Sequence, residues 1–320
     1  MVPVRVEKAG RCLWPLWLFL FLFAIGSISA LLNEGSIAPD GQVELIVKKT
    51  TKEKIPLRIT HIGNSIQFVN DCPKLLEHML ETRFTHILQD ACLVGGATFP
   101  LLIGDRKYQC LPEFIAPVQD ENNKVISSES LLKQKWDYII MNDQTQFPAR
   151  EKWRKASKQV LRDKYLPLIQ EKSSQATIIL IMTAAYTLST PGEINYSGDL
   201  GSFDDFTKLL KQGYDEYASI LPNSKIAHMG LAYQHIKKDY EKELWGKMYI
   251  QDGYHPSPHG TYLEACVIYC TMLGEIPSVY DLAWWEDGRD KKPPIPYPLP
   301  SDEDARLLRE VASRVCGITV

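Results

Sequence analysis

Short apolar runs that alternate with segments of helical periodicity set the strongest limit on how this chain can fold. The runs are residues 57–62 (LRITHI), 85–93, 136–141 (WDYIIM), 176–183 (ATIILIMT) and the weaker 225–229. Each is short enough for a strand, and most are apolar without alternation, so both faces of such a strand need cover. Pro73 opens an amphipathic segment in which Leu75, Leu76, Met79 and Leu80 recur at helical spacing. Residues 151–171, 203–221, 258–273 and 303–316 carry further helical patterns. Buried strands interleaved with helices predict an α/β domain with a parallel sheet covered on both faces. In open sheets of this kind, sites gather at the carboxyl ends of the strands.

The N-terminus predicts where that domain resides. Residues 13–32 are uncharged, and a helix of about 20 apolar residues crosses a bilayer. Arg5, Lys8 and Arg11 precede the run, against Glu7 alone, so the body is expected to cross the membrane. Residues 1–33 are read as a cytoplasmic tip with a signal peptide, cut near Gly26, Ser27, Ser29 or Ala30, or with an uncleaved anchor. Residues 34–55, polar and lysine-rich, form a linker or edge segment, and 56–320 form the lumenal or extracellular domain. Asn195-Tyr196-Ser197 is a glycosylation sequon, which fits that route. Beyond Cys12 the cysteines are Cys72, Cys92, Cys110, Cys266, Cys270 and Cys316. An oxidising compartment allows them to pair. Cys266 and Cys270 stand one helical turn apart, a poor geometry for pairing with each other, so one of them is expected to meet Cys316. Cys92 with Cys110 is the second pairing, and buried free thiols are the plain alternative. A net charge of −3 argues against a nucleic-acid surface. The proline-rich residues 293–300 must be extended, as a spacer packed on the body.

The chemistry rests on two distant segments. Ser65 follows Gly63-Asn64 at the end of the first strand, and a serine hydroxyl needs a base to become a nucleophile. His255 can be that base, and Asp252, three residues earlier, can orient its ring. The plain alternatives are a serine that caps the next helix and a surface histidine. His255 and His259 could suggest a metal, but Pro256 and Pro258 break their helical spacing, and no metal or cofactor is expected. Asn142 stands at a strand end, where a carboxamide can donate to an oxyanion without carrying charge. Asp143 is an alternative acid with no histidine beside it, and Gly95-Gly96 allows close approach of a backbone N–H.

Taken together and in this order, these blocks resemble the SGNH (GDSL-like) hydrolase superfamily. Gly63-Asn64-Ser65 matches its first block, with asparagine where aspartate is commoner. Gly96 matches the second block and Asn142 the third, although Ile140 replaces the glycine usual two residues earlier. Asp252 and His255 match the D-x-x-H of the last block, and Gly260 to Ala265 looks like the helix that follows it in one branch. The resemblance implies a three-layer α/β/α sandwich (SGNH/flavodoxin-like) with a central parallel sheet of about five strands. It also implies metal-free hydrolysis of acyl esters by Ser65, His255 and Asp252, with Ser65, Gly96 and Asn142 as the oxyanion hole. O-acetyl esters on glycans are the foremost substrate, with Trp284, Trp285 and Tyr254 as candidate sugar-stacking rings. The partners implied are a small-molecule or glycan ester, no nucleic acid, and a membrane only through an uncleaved N-terminus. The alternatives are an SGNH-fold binding protein without turnover and an O-acyltransferase using the same three residues.

Overall fold

The computed structural model describes residues 56–104, 127–187, 199–278, 282 and 297–319. The expectations for the N-terminal segments, Cys110, Asn195, Trp284 and Trp285 lie outside these residues. Five strands, β1 (Leu57–Gly63), β2 (Ile87–Leu93), β3 (Tyr138–Met141), β4 (Thr177–Ile181) and β5 (Ser224–Ala227), form one sheet in the order β2-β1-β3-β4-β5. Every pairing is parallel, and Ile62 stands level with both Cys92 and Met141. The chain leaves β1 toward β2, then crosses back to β3. The carboxyl ends of β1 and β3 therefore flank the point where strand order reverses, the usual crevice for a ligand in an open α/β sheet.

The helices are α1 (Ser65–Phe68), α2 (Cys72–Glu81), α3 (Phe99–Gly104), α4 (Ser128–Leu132), α5 (Gln146–Ala149), α6 (Glu151–Val160), α7 (Leu166–Ser173), α8 (Phe203–Ala218), α9 (Met229–Asp239), α10 (Pro258–Leu273) and α11 (Asp302–Val315). The expected continuous helix over 151–171 is interrupted by a π-helical turn at Leu161–Tyr165. Pro167 follows it and has no N–H to bond back into that turn, so the ladder there is one donor short. The expected strand at 225–229 stops at Ala227, and α9 starts two residues later.

Burial explains the apolar runs. Ile59, Ile62, Ile139, Ile140, Ile179 and Leu180 are fully buried in the three central strands. α10 lies against α2, α11, β4 and β5 and is buried on almost every side, which is why its sequence shows no polar face. Its ends are fixed locally: Ser257 accepts from the Gly260 N–H at 3.2 Å, Pro258 occupies the first turn, and Gly274 closes the helix with φ +71°. Downstream, Tyr297 packs back on the domain, its hydroxyl accepting from the Gln251 N–H at 2.6 Å.

The expected bridge from Cys266 or Cys270 to Cys316 is not formed. Cys72, Cys266, Cys270 and Cys316 are free thiols. Cys270 and Cys316 are neighbours without a bridge, and the Cys316 thiol lies 3.7 Å from Thr271 Oγ1 and 3.8 Å from the Val267 carbonyl. Cys92 is disulfide-bonded, and its expected partner, Cys110, lies outside the described residues. Among the described residues no helix is long and apolar enough to cross a membrane.

Candidate active site

Ser65 opens α1 where β1 ends. The cap of that helix is Asn64, whose Oδ1 accepts from the Ile66 N–H at 3.2 Å. Ser65 is thus relieved of the capping role that a turn serine often takes, and its hydroxyl is left to face the other segment. Gly63 is required here by space: a Cβ on it would lie 1.9 Å from Asn142 Oδ1.

The second segment is the loop before α10. A bridge between Tyr249 and Pro256 closes it, and the Ile250 N–H donates to the His255 carbonyl at 3.1 Å. Within it, Asp252 Oδ1 accepts from the N–H groups of Tyr254 (3.0 Å) and His255 (2.9 Å). The other carboxylate oxygen, Oδ2, lies 2.7 Å from His255 Nδ1. His255 Nε2 lies 2.8 Å from Ser65 Oγ. One carboxylate therefore folds the loop and orients the ring. Burial pushes the Asp252 carboxyl up, but the hydrogen bonds from the His255 ring and from the loop N–H groups outweigh it and hold the group below its ordinary range. Asp252 is ionised at neutral pH, and accepting Nδ1–H leaves Nε2 as the basic nitrogen.

Asn70 ties the segments together. Its Nδ2 donates to the Pro256 carbonyl at 2.9 Å and to Thr261 Oγ1 at 3.0 Å. Behind the ring, Tyr254 packs on His255 (ring centroids 4.3 Å apart) and Tyr186 on Tyr254 (5.5 Å). The Tyr186 hydroxyl accepts from Gln144 Nε2 at 3.2 Å, and burial pushes its phenol up to about 12.

The expected oxyanion residues divide into two groups. Neither the Ser65 N–H nor the Gly96 N–H is given to a protein acceptor among the described residues. Gly96 is exposed, with φ +66° and open space beside its Cα. Asn142 is different. It is fully buried, and its Nδ2 donates to Asn64 Oδ1 at 2.8 Å and to the Asp143 carbonyl at 3.1 Å. Its Oδ1 accepts from the Asn64 N–H at 3.3 Å and from Gln67 Nε2 at 2.8 Å. The side chain stands at the Ser65 turn, and both its amide protons are spent on holding that turn.

Asn64 completes the clamp: its Nδ2 donates to the Ala97 carbonyl at 2.9 Å. This contact gives the asparagine a physical reason, since an ionised aspartate has no proton to donate to a carbonyl. Asp143 is no rival for Asp252. It is fully buried and accepts from the Phe99 and Gln144 N–H groups, Ser157 Oγ and the Tyr217 hydroxyl, and burial raises its carboxyl to about 6 despite these bonds. His259 is held by Asp304 at 3.0 Å, and no group of metal-ligating side chains occurs among the described residues.

Sequence reasoning passed over Asn70, Gln67, Gln144 and Tyr186. The signal available was position: Gln67 and Asn70 lie within five residues of Ser65, and Gln144 and Tyr186 follow the carboxyl ends of β3 and β4.

No family model matches this chain, and no curated protein sequence does. Solved structures do. A DUF4886 family protein from Bacteroides uniformis aligns over 83% of this chain and 97% of its own, with a TM-score of 0.59 at 14% identity. A GDSL-like lipase from Bacteroides thetaiotaomicron aligns over 67% of this chain and 85% of its own, with a TM-score of 0.35 at 15% identity. A carbohydrate acetylesterase from Sinorhizobium meliloti aligns over 68% and 99%, with a TM-score of 0.38 at 9% identity. At 14% identity, the likeness to the first of these concerns the fold alone.

Proposed function

We propose that this chain, a five-stranded parallel α/β domain, is a serine esterase of the SGNH type that cleaves acyl esters, foremost O-acetyl esters on glycans. The observation that carries the reading is the unbroken chain from Asp252 Oδ2 to His255 Nδ1 (2.7 Å) and from His255 Nε2 to Ser65 Oγ (2.8 Å). As Ser65 Oγ attacks the ester carbonyl, its proton passes to Nε2, and Asp252 stabilises the imidazolium that forms. The Ser65 and Gly96 N–H groups receive the oxyanion, and losing one such donor typically costs about 2.7–4 kcal/mol. Asn142 and Asn64 serve the hole by fixing the two turns that carry those donors. Collapse of the tetrahedral intermediate returns the proton from Nε2 to the departing alcohol. Water then attacks the acyl-enzyme by the same path in reverse.

Two features support a sugar ester. The Tyr254 ring lies beside the imidazole and is only partly buried, and the turn at Gly96 opens to solvent. A partly buried aromatic ring beside a polar site suits a pyranose better than a long acyl chain. The charge and apolar pattern of residues 1–33 supports a site of action in the secretory pathway. Of the two departures from the usual SGNH pattern, Asn64 and Ile140, the first has its reason in the Ala97 contact. The test is acetate release from a panel of acetylated glycans, comparing the intact protein with His255→Ala. Release that disappears in the variant supports the proposal. Equal release from both proteins, or none from any glycan while simple acetyl esters are cleaved, overturns the catalytic or the glycan part respectively.

A further inference from the structure

His61 lies four residues before the nucleophile, fully buried in β1, with an acceptor at each ring nitrogen. Nδ1 is 2.7 Å from Gln67 Oε1 and Nε2 is 3.1 Å from Gln89 Oε1. The amide orientations on the Gln67 side are fixed by backbone groups. The Ala97 carbonyl takes a proton from Asn64 Nδ2, so Asn64 Oδ1 faces the Ile66 N–H and Asn142 Nδ2. Asn142 Oδ1 must then accept from the Asn64 N–H and Gln67 Nε2. Gln67 Oε1 is left pointing at His61, and it can only accept. Reversing any one amide in this series sets like atoms against each other at the next, ending at the nucleophile's own turn.

The Gln89 side is looser. Gln89 is half-buried and has one backbone anchor, the Pro73 carbonyl at 3.1 Å from its Nε2. Burial pushes the His61 imidazole's pKa down, against the raising effect of its two glutamine partners and Glu77. A neutral ring has one proton to place, and the shorter bond to the locked partner takes it.

We infer that His61 is a positioning residue for the nucleophile: its Nδ1–H anchors the series Gln67–Asn142–Asn64 that fixes the Ser65 and Gly96 turns relative to each other. The inference rests on the reading of Ser65 as the nucleophile and of those two N–H groups as the oxyanion hole. Nδ1 keeps its proton in both the neutral and the charged ring, and only the Gln89 contact changes with titration.

The variants His61→Asn, His61→Gln and His61→Leu separate positioning from mere packing. An asparagine amide can stand where ring Nδ1 stands and still donate to Gln67, whereas a glutamine amide reaches the place of Nε2. With p-nitrophenyl acetate, kcat should fall roughly tenfold or more in His61→Leu and His61→Gln, a part of what loss of an oxyanion donor costs. KM should stay near its original value. His61→Asn should restore most of kcat, and Gln89→Leu should leave it intact. Thermal melts identify any variant that fails to fold. The second arm needs no turnover: nitrogen-15 NMR of the His61 ring in the unsubstituted protein should show a protonated Nδ1 in the neutral form. A bare Nδ1 with the proton on Nε2 overturns the inference. So does a folded His61→Leu protein with unchanged kcat, or a folded His61→Asn protein as impaired as His61→Leu. If the unsubstituted protein cleaves no ester, the esterase reading fails, and the ring tautomer still decides the hydrogen-bond series.

Discussion

His255 Nε2 stands 2.8 Å from Ser65 Oγ although 190 residues separate them in the chain. Two asparagines near the serine make that distance reproducible. Asn70 bonds the chain just after α1 to the His255 loop and to α10. Asn64 bonds the start of α1 to the Gly95-Gly96 turn through Ala97. The geometry at the hydroxyl is thus set by buried amide contacts, which tolerate little displacement because each orphaned partner would be left without solvent.

Asn70→Ala should therefore loosen the site and weaken the fold together. It strands the Pro256 carbonyl and removes one of the two bonds of Thr261 Oγ1, which still donates to the Val69 carbonyl at 3.3 Å; leaving a buried polar group unpaired costs about 1–3 kcal/mol. Asn70 also sits at φ +61°, where alanine is strained. Urea titration should show a loss of roughly 2 kcal/mol, with kcat reduced more than KM is raised. A loss within about 0.5 kcal/mol, the range of a neutral surface change, would show that the loop is held by other contacts.

Asn64→Asp tests the reason given for asparagine at this position. The change sets a carboxylate oxygen 2.9 Å from the Ala97 carbonyl, in a place with no proton to share unless the acid stays neutral. The expected result, taken relative to the original protein at the same pH, is a lower melting temperature and a kcat reduced by about one order of magnitude at neutral pH, both differences narrowing in acid as the carboxyl protonates. An Asn64→Asp protein with unchanged kcat across that pH range would remove the Ala97 contact from the account.

Glu264 supplies a pH test of stability. It is fully buried on α10, and burial pushes its carboxyl well above the ordinary range, only partly opposed by the neighbouring Cys72 thiol. The folded state therefore holds this proton more tightly than the unfolded state does. The contribution to stability is complete below the unfolded value, about pH 4.3, and is lost as pH rises toward the folded one. Glu264→Gln has no proton to lose, so its stability relative to the original protein should rise steadily between about pH 5 and pH 8. Chemical denaturation at several pH values reads this directly, and a difference that stays constant over the range contradicts it.

Much of the architecture was legible because β1, β3 and β4 are buried on both faces, and burial writes itself into sequence as unbroken apolar runs. β5 and α9 were harder. The strand is only four residues long, and His228, which precedes α9, forms no side-chain cap to mark the start. The local pair Asp252 and His255 could be read from its spacing, since one loop carries both. The engagement of Asn142 could not. It depends on Gln67 and Asn64 competing for the same amide in three dimensions, and nothing at position 142 alone records that. The thiols of Cys270 and Cys316 teach a similar lesson, because sequence spacing is the same for a free neighbouring pair and a bridged one.

The most direct measurement is labelling of the intact protein with a fluorophosphonate, followed by mass-spectrometric mapping of the modified residue. Attack on phosphorus needs the activated hydroxyl and the oxyanion donors but no knowledge of the natural ester. The label should appear on Ser65, vanish in Ser65→Ala and be strongly slowed in His255→Ala and Asp252→Ala. A folded protein that takes no label, or one whose label survives Ser65→Ala, would contradict the assignment of Ser65 as nucleophile.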